Sequence, residues 1–179
     1  AHDLRNPLSG IRNANYVLKK NYSCYLDSKG NLMLTTIDDC VDYSDKIVKD
    51  LLDYSTQLKL SKALTPLQTI ITKSLQTIVI PQNITVITET KEQLAIYVDP
   101  EKLQRVFSNL IKNAVEAISN QGTLTIKTKK VGENVVIEFS DNGVGMSEET
   151  LKKLWQAFFT TKAKGMGVGL AICKKIIEA

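Results

Sequence analysis

A single histidine, His2, stands almost at the start of a 179-residue chain. Multi-histidine metal clusters and Ser/His/Asp triads elsewhere in the sequence are therefore excluded, and any histidine chemistry belongs to His2. Asp3 beside it can hold one ring nitrogen, which fixes the tautomer and leaves the other nitrogen free as a nucleophile. Asn6 follows one turn later on the same side, and Pro7 is expected to perturb the helix just after it. Further along, Asn109, Asn113 and Glu116 recur at four- and three-residue spacing and so share one stripe of a helix. The amide oxygens of Asn109 and Asn113 suit a cation or phosphates, because Mg²⁺ takes hard oxygen ligands; a solvated polar face is the plainer reading. Asp141-Asn142-Gly143-Val144-Gly145-Met146 combines a carboxylate able to accept from an exocyclic amine with glycines that let a ligand approach the backbone. Gly165-Met166-Gly167-Val168-Gly169 runs into a final helix, where free N–H groups and the helix dipole favour an anion. Ahead of it, Phe158-Phe159-Thr160-Thr161-Lys162 adds aromatic anchors, hydroxyls and a cation. The stretch from Gly145 to Gly165 has the length of a lid.

The elements that must position these groups fall into two halves. From Leu4 to about Leu64, apolar residues step by four and three. Leu4, Leu8, Ile11, Asn15, Leu18 and Tyr22 form one series; Leu34, Ile37, Val41, Ser44, Val48, Leu51, Ser55 and Leu58 form another. That spacing is the seam of helices packed at a shallow angle. Ser28-Lys29-Gly30-Asn31 reads as the turn that breaks the two helices apart. On such a helix His2 lies about 160° from the seam and points to solvent. A lone hairpin exposes its seam, so pairing with a second copy into a four-helix bundle is expected.

Beyond Ser61–Pro66 the pattern changes. A helix is predicted at Leu67 to about Ile78, and strands at Ile84–Thr88 and Leu94–Val98. Asp99-Pro100 then supplies a cap and a first-turn proline for a helix whose apolar face includes Leu103, Val106, Phe107, Leu110 and Ile111. Thr123–Lys130 and Val135–Phe139 alternate as a hairpin around Gly132-Glu133-Asn134. Helices follow at about Ser147–Trp155 and from Val168 on. This order implies an α+β chain: a helical hairpin over residues 1–62, then an α/β sandwich over 63–179 with helices on one face of a mixed sheet.

Composition sets the outer limits. The chain is 43% hydrophobic and 23% charged, ordinary for a globular protein, and its net charge of +4 is too small and scattered to imply nucleic acid. No apolar run is long enough for a membrane span. Three separated cysteines, Cys24, Cys40 and Cys173, fit a reducing cytoplasm rather than a disulfide framework.

Taken in order, these motifs resemble the catalytic core of the sensor histidine kinases of two-component systems. His2-Asp3-Leu4-Arg5-Asn6-Pro7-Leu8 resembles the phosphoacceptor box and Asn109–Ala114 the N box. Asp141–Gly145 resembles the first glycine box, Phe158–Lys162 the phenylalanine box and Gly165–Gly169 the second glycine box. The resemblance implies a Bergerat nucleotide fold in the second half, ATP and Mg²⁺ as cofactors, a homodimer through the hairpin and a response-regulator receiver domain as partner. It implies that His2 takes the γ-phosphoryl group, Asp3 orients the ring and accepts its proton, and Asn6 positions water for dephosphorylating the partner. It assigns Mg²⁺ to Asn113, phosphate support to Asn109 and the adenine amine to Asp141. Gly143 and Gly145 would make room for the base, and Thr161, Lys162, Gly165, Gly167 and Gly169 would line lid and phosphates. Glu116 stands where some relatives place a basic phosphate contact and is expected only to support. The start just before His2 and the end inside a helix lead to the expectation of an excised cytoplasmic core, truncated at its C-terminus, with membrane or sensor segments upstream left open. The competing readings are another Bergerat-fold ATPase, or a degenerate kinase acting as a dimeric scaffold.

Overall fold

A computed structural model describes residues 2–56, 58–90, 94–162 and 165–179, with side chains from Arg5 onward. By internal contacts the chain divides into two compact units, Ala1–Gln57 and Leu58–Ala179.

In the first unit, α1 (His2–Tyr22) leads through a 3-10 turn (Ser23–Tyr25) into α2 (Ser28–Ser55). The break falls earlier than the turn cluster suggested. The Asp27 side chain accepts from the Gly30 N–H at 2.7 Å, which makes Asp27 the cap and turns Ser28–Asn31 into the first helical turn. Asn31 secures the connection by donating to the carbonyls of Ser23, Leu26 and Asp27. Pro7 does not interrupt α1, which runs through it close to its start. Nor does α2 reach Leu64. It stops at Ser55, where the hydroxyls of Ser55 and Thr56 both donate to the Leu52 carbonyl, at 3.0 and 2.7 Å. These side-chain bonds offer the last turn an alternative to further helix.

The seam is polar in its middle. Asn15 is buried and donates to the Leu34 carbonyl at 2.8 Å and to Asp38 Oδ1 at 2.5 Å, while Lys19 reaches Asp38 Oδ2 at 2.5 Å. Hydrogen bonds from Lys19 and Asn15 hold the Asp38 carboxyl below its ordinary range. Around this layer Leu34, Val41 and Val48 are buried, whereas Ile11, Leu18 and Tyr22 remain exposed.

In the second unit, β1 (Ala63–Pro66) pairs antiparallel with β3 (Ala95–Val98), in a register that sets Ala63 against Val98. The strand β1 is an addition to the sequence expectation. A separate sheet contains β2 (Ile84–Thr90), β4 (Gly122–Val131) and β5 (Asn134–Asp141) in the order β2-β4-β5; β2 runs parallel to β4, and β5 antiparallel. The strands thus divide between two sheets, where one mixed sheet was expected. The turn between β4 and β5 holds Gly132 at φ 62°, a conformation a side chain would strain.

Helices α3 (Leu67–Gln76), α4 (Pro100–Ala117), α5 (Glu148–Lys153) and α6 (Gly169–Ile177) complete the unit. The core forms where α3, α4 and α6 meet β4, around Ile70, Ile71, Phe107, Ile111, Leu124, Ile126 and Ile172. β4 buries every second residue from Gly122 to Thr128, as a strand with one covered face must. Asp99 fixes the start of α4: its carboxylate accepts from the N–H groups of Ser61 (2.8 Å), Glu101 (3.1 Å) and Lys102 (3.0 Å). Burial pushes this carboxyl up, but the three backbone donors outweigh it and hold it below the usual range.

Candidate nucleotide site

The polar stripe of α4 faces the segment that precedes α6. Lys162 Nζ donates to Asn113 Oδ1 at 2.9 Å and forms a close ion pair with Glu116 Oε2. Lys112, one turn before Glu116, approaches its other oxygen at 3.6 Å. Partial burial raises the Glu116 carboxyl, but its hydrogen bond and charge pairing with Lys162 outweigh that and hold it below its ordinary value. One turn earlier on α4, Asn109 donates to the Gly169 carbonyl at 3.4 Å and to Cys173 Sγ at 3.6 Å, which ties α4 to the start of α6. Burial pushes the Cys173 thiol up.

The helix α6 begins without a side-chain cap, so its first N–H groups are not satisfied by a capping residue. Its approach is built on Gly167, which has φ 66° and whose hypothetical Cβ would lie 2.2 Å from the Phe159 carbonyl oxygen. Phe158, itself at φ 68°, donates its N–H to the Gly167 carbonyl at 3.0 Å. The aromatic segment and the second glycine segment are therefore one braced unit. Within it, Thr160 Oγ1 accepts from the Lys162 N–H at 3.1 Å and sits 3.0 Å from where a Gly165 Cβ would be. Thr161 is exposed.

The loop after β5 is pinned to the end of α4. Val144 N–H donates to the Ala117 carbonyl at 3.0 Å, and a Cβ on Gly143 would come within 2.6 Å of that oxygen. Gly143 is thus required by the contact with Ala117, whereas Gly145, at φ 69°, has open space beside it. Asp141 is exposed, and its Oδ1 accepts from the Gly143 N–H at 2.9 Å. Asn142, which the sequence reading passed over, accepts the Thr123 N–H at 2.8 Å and so fastens the loop to β4.

Asn113, Glu116 and Lys162 are therefore brought together; Asn109 meets Gly169, and Asp141 meets Gly143. Asn6 lies exposed on α1 in the other unit, and His2 and Asp3 occupy its first turn with side chains outside the described residues. Glu116 as the partner of Lys162 was missed. Its pairing with Lys112 was legible from spacing, but Lys162 is 46 residues away.

The donor set fits Mg²⁺ held jointly with a nucleotide. The Asn113 oxygen already faces a cation, the Lys162 ammonium, and among the described residues no group of three or more His, Cys, Asp or Glu could hold a metal alone. Mg²⁺ characteristically takes one or two protein oxygens and completes its shell with phosphates and water. Among the described residues, no helix is long and apolar enough to cross a membrane.

Two family models match separate parts of the chain. Residues 1–58 match the family model of the His Kinase A (phospho-acceptor) domain. Residues 98–179 match that of the histidine kinase-, DNA gyrase B-, and HSP90-like ATPases. Sporulation kinase B of Bacillus subtilis is 31% identical over 182 residues, covering 99% of this chain and 42% of that protein. The signal transduction histidine-protein kinase AtoS of Escherichia coli is 33% identical over 184 residues, covering 100% of this chain and 30% of that one. The chain thus spans less than half the length of these relatives. Among solved structures, histidine kinase ThkA in complex with response regulator protein TrrA is 28% identical with a TM-score of 0.67, covering 99% of this chain and 52% of that one. Full-length ShkA in complex with AMPPNP shares the fold with a TM-score of 0.82 at 20% identity, covering 98% of this chain and 38% of that one.

Proposed function

Because the chain belongs to the histidine kinases of two-component systems, we propose that it transfers the γ-phosphoryl group of ATP to His2 and passes it on to an aspartate of a response regulator. Asp141 accepts from the adenine amine, and Gly145 leaves room beside the base. Asn109 and the N–H groups at the start of α6 support the phosphates, with Thr161, Lys162, Gly165, Gly167 and Gly169 closing over them. Asn113 holds Mg²⁺, which neutralises charge on the transferring group.

In the transfer the bond from the β–γ bridging oxygen to the γ-phosphorus breaks, a P–N bond to the His2 imidazole forms, and ADP leaves. Asp3 orients the ring and takes up its proton. Little covalent work falls to the protein, so rate comes from positioning and charge neutralisation. Asn6 positions water for removing the phosphoryl group from the partner. The hairpin dimerises along its exposed seam and works in the cytoplasm; the structure of ThkA with response regulator TrrA supports the choice of partner.

The observation that carries this reading is Asn113, whose amide oxygen faces a cation on the stripe it shares with Asn109, while Asn109 reaches the uncapped start of α6. Incubation with γ-labelled ATP and Mg²⁺ tests it. The expected label is acid-labile, base-stable and absent from His2→Gln. A label that survives His2→Gln rejects the assignment.

A further inference from the structure

Lys162 is bound in an unusual place for a residue expected to meet nucleotide phosphates. Its ammonium sits on Asn113 Oδ1 at 2.9 Å, the oxygen assigned to the divalent cation, and against the Glu116 carboxylate beside it. Resting on the ATP-site reading above, we infer that Lys162 is a tethered counter-ion, docked on Asn113 and Glu116 until a metal–nucleotide complex displaces it. Glu116 is then the positioning residue that defines the resting place of Lys162.

Three features make this exchange cheap. The segment that carries Lys162 is braced at its far end, where Phe158 bonds Gly167, so the lysine can leave by rotating its long flexible side chain while that brace stays in place. Glu116 is not abandoned when Lys162 departs, because Lys112 lies 3.6 Å from its other oxygen. Both members of the Lys162–Glu116 pair are substantially exposed, at 42% and 38%, and an exposed pair is weak enough to be exchanged.

The consequence is competition. Metal and the Lys162 ammonium cannot both occupy the Asn113 oxygen, so docking raises the metal concentration needed to load the site by the inverse of the undocked fraction. A lysine that served only bound phosphates would act in the opposite direction, because its removal would weaken nucleotide binding with and without metal.

The test is titration of Mn²⁺ in the presence of ADP, with free Mn²⁺ read by its paramagnetic resonance signal, in the parent, Lys162→Met and Glu116→Gln proteins. ADP binding in EDTA is measured alongside. Lys162→Met is expected to lower the half-saturating Mn²⁺ about two- to five-fold, the range an exposed ion pair can supply, without tightening ADP binding in EDTA. Glu116→Gln is expected to lower it in the same direction. An unchanged or raised Mn²⁺ requirement in Lys162→Met overturns the dock, and a raised requirement in Glu116→Gln overturns the role of Glu116 as its anchor. Both results leave ATP binding standing if the parent binds Mn²⁺–ADP. A parent that binds no ADP removes the ATP-site reading and the dock together.

Discussion

In the second unit, side chains from three helices and the central strand bury one another around Ile71, Ile111, Leu124 and Ile126, all with negligible exposure. In the hairpin, the buried apolar side chains among the described residues are Leu34, Val41 and Val48, all on α2, and the buried residue of α1 is the polar Asn15. The seam of the hairpin is therefore specific before it is stable. The Asn15–Asp38–Lys19 layer sets the register of α1 on α2, while Ile11, Leu18 and Tyr22 are left for another surface. The α/β unit encloses its own core and can hold a site geometry unaided. The hairpin, by contrast, leaves much of its apolar seam exposed, and the proposed pairing with a second copy would bury it.

The sharpest way to break this contrast is to cut into each half. Ile111→Ala in α4 should destabilise the second unit by about 2–5 kcal/mol, lost transfer energy plus the cavity left behind. Urea unfolding should show a lower midpoint for that unit, with no dependence on protein concentration. Dilution should instead act on the hairpin. Its thermal transition should fall as the chain is diluted, because an associating unit is stabilised by mass action. A hairpin transition that stays constant over a hundred-fold dilution would argue for a self-sufficient α1–α2 pair.

Smaller effects separate the units further. Asp99→Ala removes the cap of α4 and the tether to Ser61, at a cost of about 1–2 kcal/mol. Because the folded Asp99 carboxyl lies below its unfolded value, its contribution is complete above about pH 4 and is lost as pH falls through the folded value. The midpoint difference between parent and Asp99→Ala should therefore shrink on acidification. Smallest is Arg12→Ala on α1, whose guanidinium meets Asp45 at 2.6 Å and Asp42 at 2.9 Å on an exposed face. It should cost the hairpin less than about 1 kcal/mol, and less still in high salt, as chemical denaturation at two ionic strengths would show.

What could be read from the sequence follows the range of the interactions. Asp99-Pro100 announced the start of α4 because capping is decided within three residues, and Gly132 announced the β4–β5 turn for the same reason. The hairpin break was misplaced because Ser28–Asn31 has turn composition, and only the side-chain bond from Asp27 decides that it is helical. The strand β1 was invisible: four mostly exposed residues carry no alternation, and they become a strand only by pairing with β3 some thirty residues later. The division into two sheets is long-range in the same sense. At the site, the stripe of Asn109, Asn113 and Glu116 was legible from helical spacing, while the docking of Lys162 on it depends on a fold that spacing does not encode.

That the second unit alone holds the nucleotide is tested most directly by equilibrium titration of the full chain with Mg²⁺–ATP, comparing Asp141→Asn with the parent. The substitution leaves the Oδ1 bond to Gly143 possible but removes the negative charge and replaces one acceptor by a donor. Binding should weaken about ten- to a hundredfold, the worth of a hydrogen bond to a charged group, while Arg12→Ala in the hairpin binds like the parent. An Asp141→Asn protein that binds ATP as tightly as the parent would contradict the placement of adenine at Asp141.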